Sequence, residues 1–136
     1  MVSLLLLVFS VWPLPSPATL NLQITGARSD DGQVVVLLFN SSEGFPRNTS
    51  KAAYTQAAPL ENGAARLSLQ DIPAGRYAIM AFHDADGNNK LKTNFMGMPK
   101  EGIALVGWTG GRPKFGNVAV EVSAEGGSFD LALNYR

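Results

Sequence analysis

Three stretches of the chain keep a strict two-residue rhythm. Leu20, Leu22 and Ile24 alternate with Asn21, Gln23 and Thr25; Ala65, Leu67 and Leu69 alternate with Arg66 and Ser68; Phe129, Leu131, Leu133 and Tyr135 recur at every second position. A strand sends successive side chains to opposite faces, so this spacing gives one apolar and one polar face, whereas a helix would scatter the same residues around its surface. No stretch carries a convincing helical period. Apolar faces of this kind are buried by packing sheet on sheet.

Further strands are read from composition. Gln33 to Asn40 (QVVVLLFN) is β-branched and apolar on both faces, as a central strand is, and Arg76 to His83 (RYAIMAFH) is of the same kind. Lys51 to Leu60 reads as an irregular edge strand and Asn117 to Ser123 as a strand with Val118, Val120 and Val122 on one face. Asp30-Asp31-Gly32, Glu61-Asn62-Gly63, Asp71 to Gly75 and Glu125-Gly126-Gly127 are turn chemistry between them. The expectation is an all-β fold, an antiparallel seven-stranded β-sandwich of immunoglobulin-like kind with one long loop before the last two strands.

The chain has 136 residues, enough for one domain. It has no cysteine, so stability must come from an ordinary hydrophobic core, and thiol catalysis and thiolate metal sites are excluded. Lysine plus arginine equal aspartate plus glutamate at 11 each, which offers no excess of charge to a nucleic acid or an anionic membrane. The N-terminus is apolar from Val2 to Trp12 and broken by Pro13, Pro15 and Pro17. Such a run is shorter than the roughly 20 residues of a spanning helix and matches the core of an export signal. Ser16 and Ala18 are small residues at the positions a signal peptidase reads, which predicts residues 1–18 as a signal, cleavage after Ala18, a mature domain over 19–136 without a membrane span, and a periplasmic or secreted location.

The segment His83 to Gly102 (HDADGNNKLKTNFMGMPKEG) is too polar for core, and Gly102 to Gly116 continues it with glycines that do not have nucleotide-loop spacing. A connection of that length in a small domain is usually functional, so 83–116 is the expected functional loop. The phrase Asp71-Ile-Pro-Ala-Gly-Arg-Tyr-Ala, then His83-Asp84-x-Asp86-x-Asn88, Gly97-x-Pro99-x-Glu101-Gly102 and Pro113-x-Phe115, resembles an uncharacterised family of small exported bacterial proteins classed as a domain of unknown function. The resemblance covers nearly the whole mature chain. It implies a transthyretin-like or Cna-B-like β-sandwich in the periplasm or outside the cell, and no activity.

Asp84, Asp86 and Asn88 stand at positions 1, 3 and 5 of a D-x-D-x-N run, the spacing with which calcium loops present oxygens to one hard cation. Lys90 would offer its backbone carbonyl at position 7. Lys92 and Phe95 fill positions 9 and 12, so Glu101 is left to close the shell, which requires the segment to fold back. The same residues, with Asn94, would equally brace a metal-free loop through side-chain to backbone hydrogen bonds. His83 is the only histidine; next to Asp84 on a strand it points to the opposite face, so adjacency makes no dyad. Trp108, among glycines with Arg112 nearby, either caps the core or stacks on a sugar or a partner.

These readings converge on a non-enzymatic exported protein of the bacterial envelope. It binds an envelope protein or glycan through 83–116, with His83, Asn94, Trp108 and Arg112 as contact residues and calcium as the candidate cofactor. Two alternatives stay open: a hydrolase using His83, Asp84 and Glu101, and a carbohydrate-binding module built on Trp108.

Overall fold

The computed structural model describes residues 18–88 and 101–135. Residues 1–17, most of the expected signal, and Lys90, Lys92, Asn94 and Phe95 lie outside the described residues. The described chain is all-β, with strands β1 (Ala18–Thr25), β2 (Gln33–Phe39), β3 (Tyr54–Pro59), β4 (Ala65–Ile72), β5 (Gly75–Asp84), β6 (Ile103–Leu105), β7 (Val120–Val122) and β8 (Gly127–Ala132). A 3-10 turn (Thr49–Lys51) and one turn of helix, α1 (Phe115–Val118), complete the order.

The strands form two sheets. One is β4-β1-β8; the other is β3-β2-β5-β6, with β7 paired to the start of β5. Two features depart from the seven-stranded antiparallel expectation. Eight strands are present among the described residues, because Ile103–Leu105 pairs with β5. The first and last strands run parallel, with Leu20 opposite Gly127 and Thr25 opposite Ala132.

The rhythm of β1 and β4 works as read: Leu20, Leu22, Ile24, Ala65, Leu67 and Leu69 are buried, and their polar neighbours face water. They meet Val34, Val36, Leu38, Ile79 and Ala81 of the other sheet in the main core. Because β2 and β5 are apolar on both faces, their other side needs cover as well. Val35, Leu37, Phe39, Ala78, Met80 and Phe82 form a second cluster on the outer face, closed by Leu105 and Val118 and by half-buried Phe45, Ile103, Trp108 and Phe115. Fully burying a side chain such as Phe82 contributes about 1.5–3 kcal/mol, which gives the long excursion after β5 a structural task.

That excursion is therefore not one loop over 83–116. It includes the end of β5, then β6, then α1. The expected strand 117–123 is divided likewise: the helical turn α1 rotates Val118 into the outer cluster, and only Val120–Val122 is extended, with Val122 in the main core. The edge strand expected over Lys51 to Leu60 is the shorter β3. Among the described residues no helix is long and apolar enough to cross a membrane.

Candidate cation site at the end of strand β5

The site follows from register. β5 and β6 pair with Met80 opposite Leu105, Ala81 opposite Ala104 and Phe82 opposite Ile103. One step further, the His83 N–H donates to the Gly102 carbonyl at 2.9 Å, so His83 faces Gly102. The next step sets Asp84 against Glu101. On the other flank Asp84 pairs with Gln33 of β2. Gln33, Asp84 and Glu101 thus form one cross-strand row at the rim of the outer face.

Asp84 is fully buried, and a buried carboxylate needs strong partners. The Gln33 side-chain amide donates to its Oδ2 at 2.9 Å, and the Asn88 N–H donates to its Oδ1 at 3.2 Å. The second bond is the turn-bracing role expected of such an aspartate. Asp86, on the exposed turn that follows, accepts from the Asn88 side-chain amide at 3.4 Å. Glu101 reaches back over the turn, its Oε2 accepting from the Ala85 N–H at 3.3 Å. One carboxylate oxygen from each of Asp84, Asp86 and Glu101 lies within 4.8 Å of the others. Two unit negative charges at that separation repel by about 1 kcal/mol in water-like surroundings and about 3 kcal/mol near a protein surface. Three such oxygens around one point are a ligand set for a hard divalent cation, which takes oxygen donors.

The arrangement joins Asp84, Asp86, Asn88 and Glu101. Lys90 and Asn94 lie outside the described residues. His83 is elsewhere: it pairs with buried Val34 and faces the interior between the sheets, on the opposite side of β5 from Asp84. Its Nε2 is 2.8 Å from the Asp31 carbonyl, and because a carbonyl only accepts, Nε2 carries the proton. In the neutral ring Nδ1, 2.7 Å from the Tyr135 hydroxyl, then accepts. That hydroxyl accepts in turn from the Arg28 N–H at 3.1 Å, and the Arg28 guanidinium sits 4.4 Å from the centre of the Tyr135 ring. His83, Asp84 and Glu101 therefore do not converge as an acid–base set.

Trp108 is half-buried against the outer cluster, its indole N–H donating to the Gly111 carbonyl at 3.1 Å, while Arg112 is exposed. Gln33, Tyr135, Arg28 and Asp31 are the residues of this region that sequence reasoning missed. Gln33 had a signal available, since it opens the strand whose neighbour ends at Asp84; Tyr135 had none beyond its place in an alternating run. A family model described as "Uncharacterized protein conserved in bacteria (DUF2141)" matches residues 22–129. No curated protein and no solved structure matches significantly.

Proposed function

The chain belongs to the DUF2141 family of uncharacterized bacterial proteins, and from that premise we propose that it is an exported, non-enzymatic envelope protein whose 83–116 segment, ordered by calcium, binds a protein or glycan. The observation that carries the cation reading is the meeting of Asp84, Asp86 and Glu101, contributed by a strand end, a turn and the bend that leads into β6. Like charges directly opposite on adjacent strands are destabilising, and a divalent ion turns that repulsion into shared coordination. Asn88 would add a fourth oxygen, with water making up the rest of the shell. The non-enzymatic reading is supported by the side chain of His83, whose ring nitrogens are engaged within the fold on the far face of β5.

Export rests on the apolar run from Val2 to Trp12 and the small residues before Thr19. The transthyretin-like or Cna-B-like sandwich belongs to the same proposal, and an experimental strand order foreign to those folds would remove it. Thermal unfolding in EDTA and then in calcium tests the cation. At a hundredfold excess over Kd, an ion bound only by the folded chain stabilises it by about 2.7 kcal/mol, roughly 10 °C for a domain of this size. Glu101→Gln keeps an oxygen for the Ala85 N–H but loses the charge, and most of the rise should go with it. An unmoved midpoint in the wild type, or an equal rise in the variant, sinks the cation. Partner binding is tested by Trp108 emission during titration with envelope glycans or envelope protein extracts; a chain that binds neither, with or without calcium, has no partner at this segment.

A further inference from the structure

We infer that Tyr135 is a latch that holds β6 and the residues leading into it, Glu101 and Gly102, against β5, so that docking of Tyr135 sets the geometry of the carboxylate cluster. Strand β6 is short, three residues with three pairs to β5 flanked by the His83 to Gly102 and Val106 to Ile79 hydrogen bonds. Its other edge is held by the C-terminal segment. Ile103 and Asn134 exchange both backbone hydrogen bonds, each 2.9 Å. Beside them the Tyr135 ring occupies the space over Gly102: a Cβ there would lie 2.5 Å from the ring's Cζ.

Tyr135 is itself fixed on two sides, by its hydroxyl between His83 and the Arg28 N–H, and by the Arg28 guanidinium over its ring. Gly102 is held from both directions, by the His83 N–H bond and by the ring, and Glu101 is the residue just before it. Whatever pulls Tyr135 away frees Gly102 and withdraws Glu101 from Asp84. By linkage, a cation held between those two residues must tighten the docking of Tyr135 by the same factor. This regulatory consequence rests on the cation reading above; the latch does not.

The test uses the full chain with Tyr135→Ala and Tyr135→Phe, and calcium as the probe. In the metal-free protein, Tyr135→Ala should speed amide hydrogen exchange at His83 and Ile103 by about tenfold while Val36, in the centre of β2, keeps its rate. Calorimetric calcium affinity should fall about tenfold. Tyr135→Phe keeps the ring over Gly102 without the hydroxyl and should fall between. Unchanged exchange at His83 and Ile103, or an equal rise at all three amides, overturns the latch. Raised exchange with unaltered calcium affinity overturns its control of the site. A wild type that binds no calcium, beside raised exchange in Tyr135→Ala, supports the latch and rejects the cation.

Discussion

Gly32 and Gly87 have nearly the same backbone, φ of +69° and +70°, in very different surroundings. Changing each to alanine separates the cost of the conformation from the cost of the contact. An L-residue in the left-handed region pays about 1–2 kcal/mol, and the stiffer unfolded chain returns about 0.4–1 kcal/mol. Around Gly87 an added Cβ meets nothing within 4 Å, so Gly87→Ala should destabilise by about 1 kcal/mol or less. At Gly32 the added Cβ overlaps the Asp84 carbonyl oxygen and lies 2.6 Å from that of Ala85. Both are backbone atoms, so the end of β5 and the start of β2 must separate. Separation breaks the Gln33 to Asp84 bond, and a hydrogen bond to a charged group contributes about 1.5–3 kcal/mol. Gly32→Ala should therefore cost about 3 kcal/mol in all, and it should weaken the proposed calcium binding because Asp84 moves. Urea unfolding measures both variants: with a slope near 2 kcal/mol per molar, their midpoints should differ by about 1 M. Midpoints that coincide would show that the β2–β5 rim yields freely and that the close approach at Gly32 does not hold Asp84 against Gln33.

The Tyr77 hydroxyl donates to the Pro73 carbonyl at 2.7 Å, and burial, with Tyr54 adding to it, raises the Tyr77 pKa above the ordinary 10.0. A raised folded-state value favours the protonated phenol, so its stabilisation is complete below about pH 10 and fades as pH climbs through the folded value; unfolding midpoints in alkaline buffer should drop less steeply for Tyr77→Phe than for the wild type. Export predicts that chain recovered outside the cytoplasm begins at Thr19, one residue into β1, as intact mass would show, and uncleaved chain confined to the cytoplasm would contradict it.

Legibility in the sequence depended on how far apart the interacting residues are. Strands β1 and β4 announce themselves because a half-buried strand writes its two faces into neighbouring letters. Ile103–Leu105 does not: three residues among glycines have no period, and they are a strand only because β5 offers an edge. Val118 shares spacing with Val120 and Val122, yet the turn of α1 sends it to the other core. At the site, the D-x-D-x-N run marked Asp84, Asp86 and Asn88, and the period-two rule alone separated His83 from Asp84. That Glu101 stands opposite Asp84 depends on the β5–β6 register, and the company of His83 depends on a tyrosine 52 residues away, so neither was visible locally.

The parallel pairing of β1 with β8 also has a kinetic meaning. Strand β1 is the middle of its sheet, and one of its two neighbours is made of residues 127–132. The chain must close a loop of about a hundred residues before that strand is complete, and contacts of such separation form slowly. A chain emerging from a ribosome can assemble β2, β3 and β5 early, but it leaves one edge of β1 unpaired until residues 127–132 are free. During that interval the edge is a template for a second chain, so the delay before residues 127–132 are delivered weighs folding against aggregation.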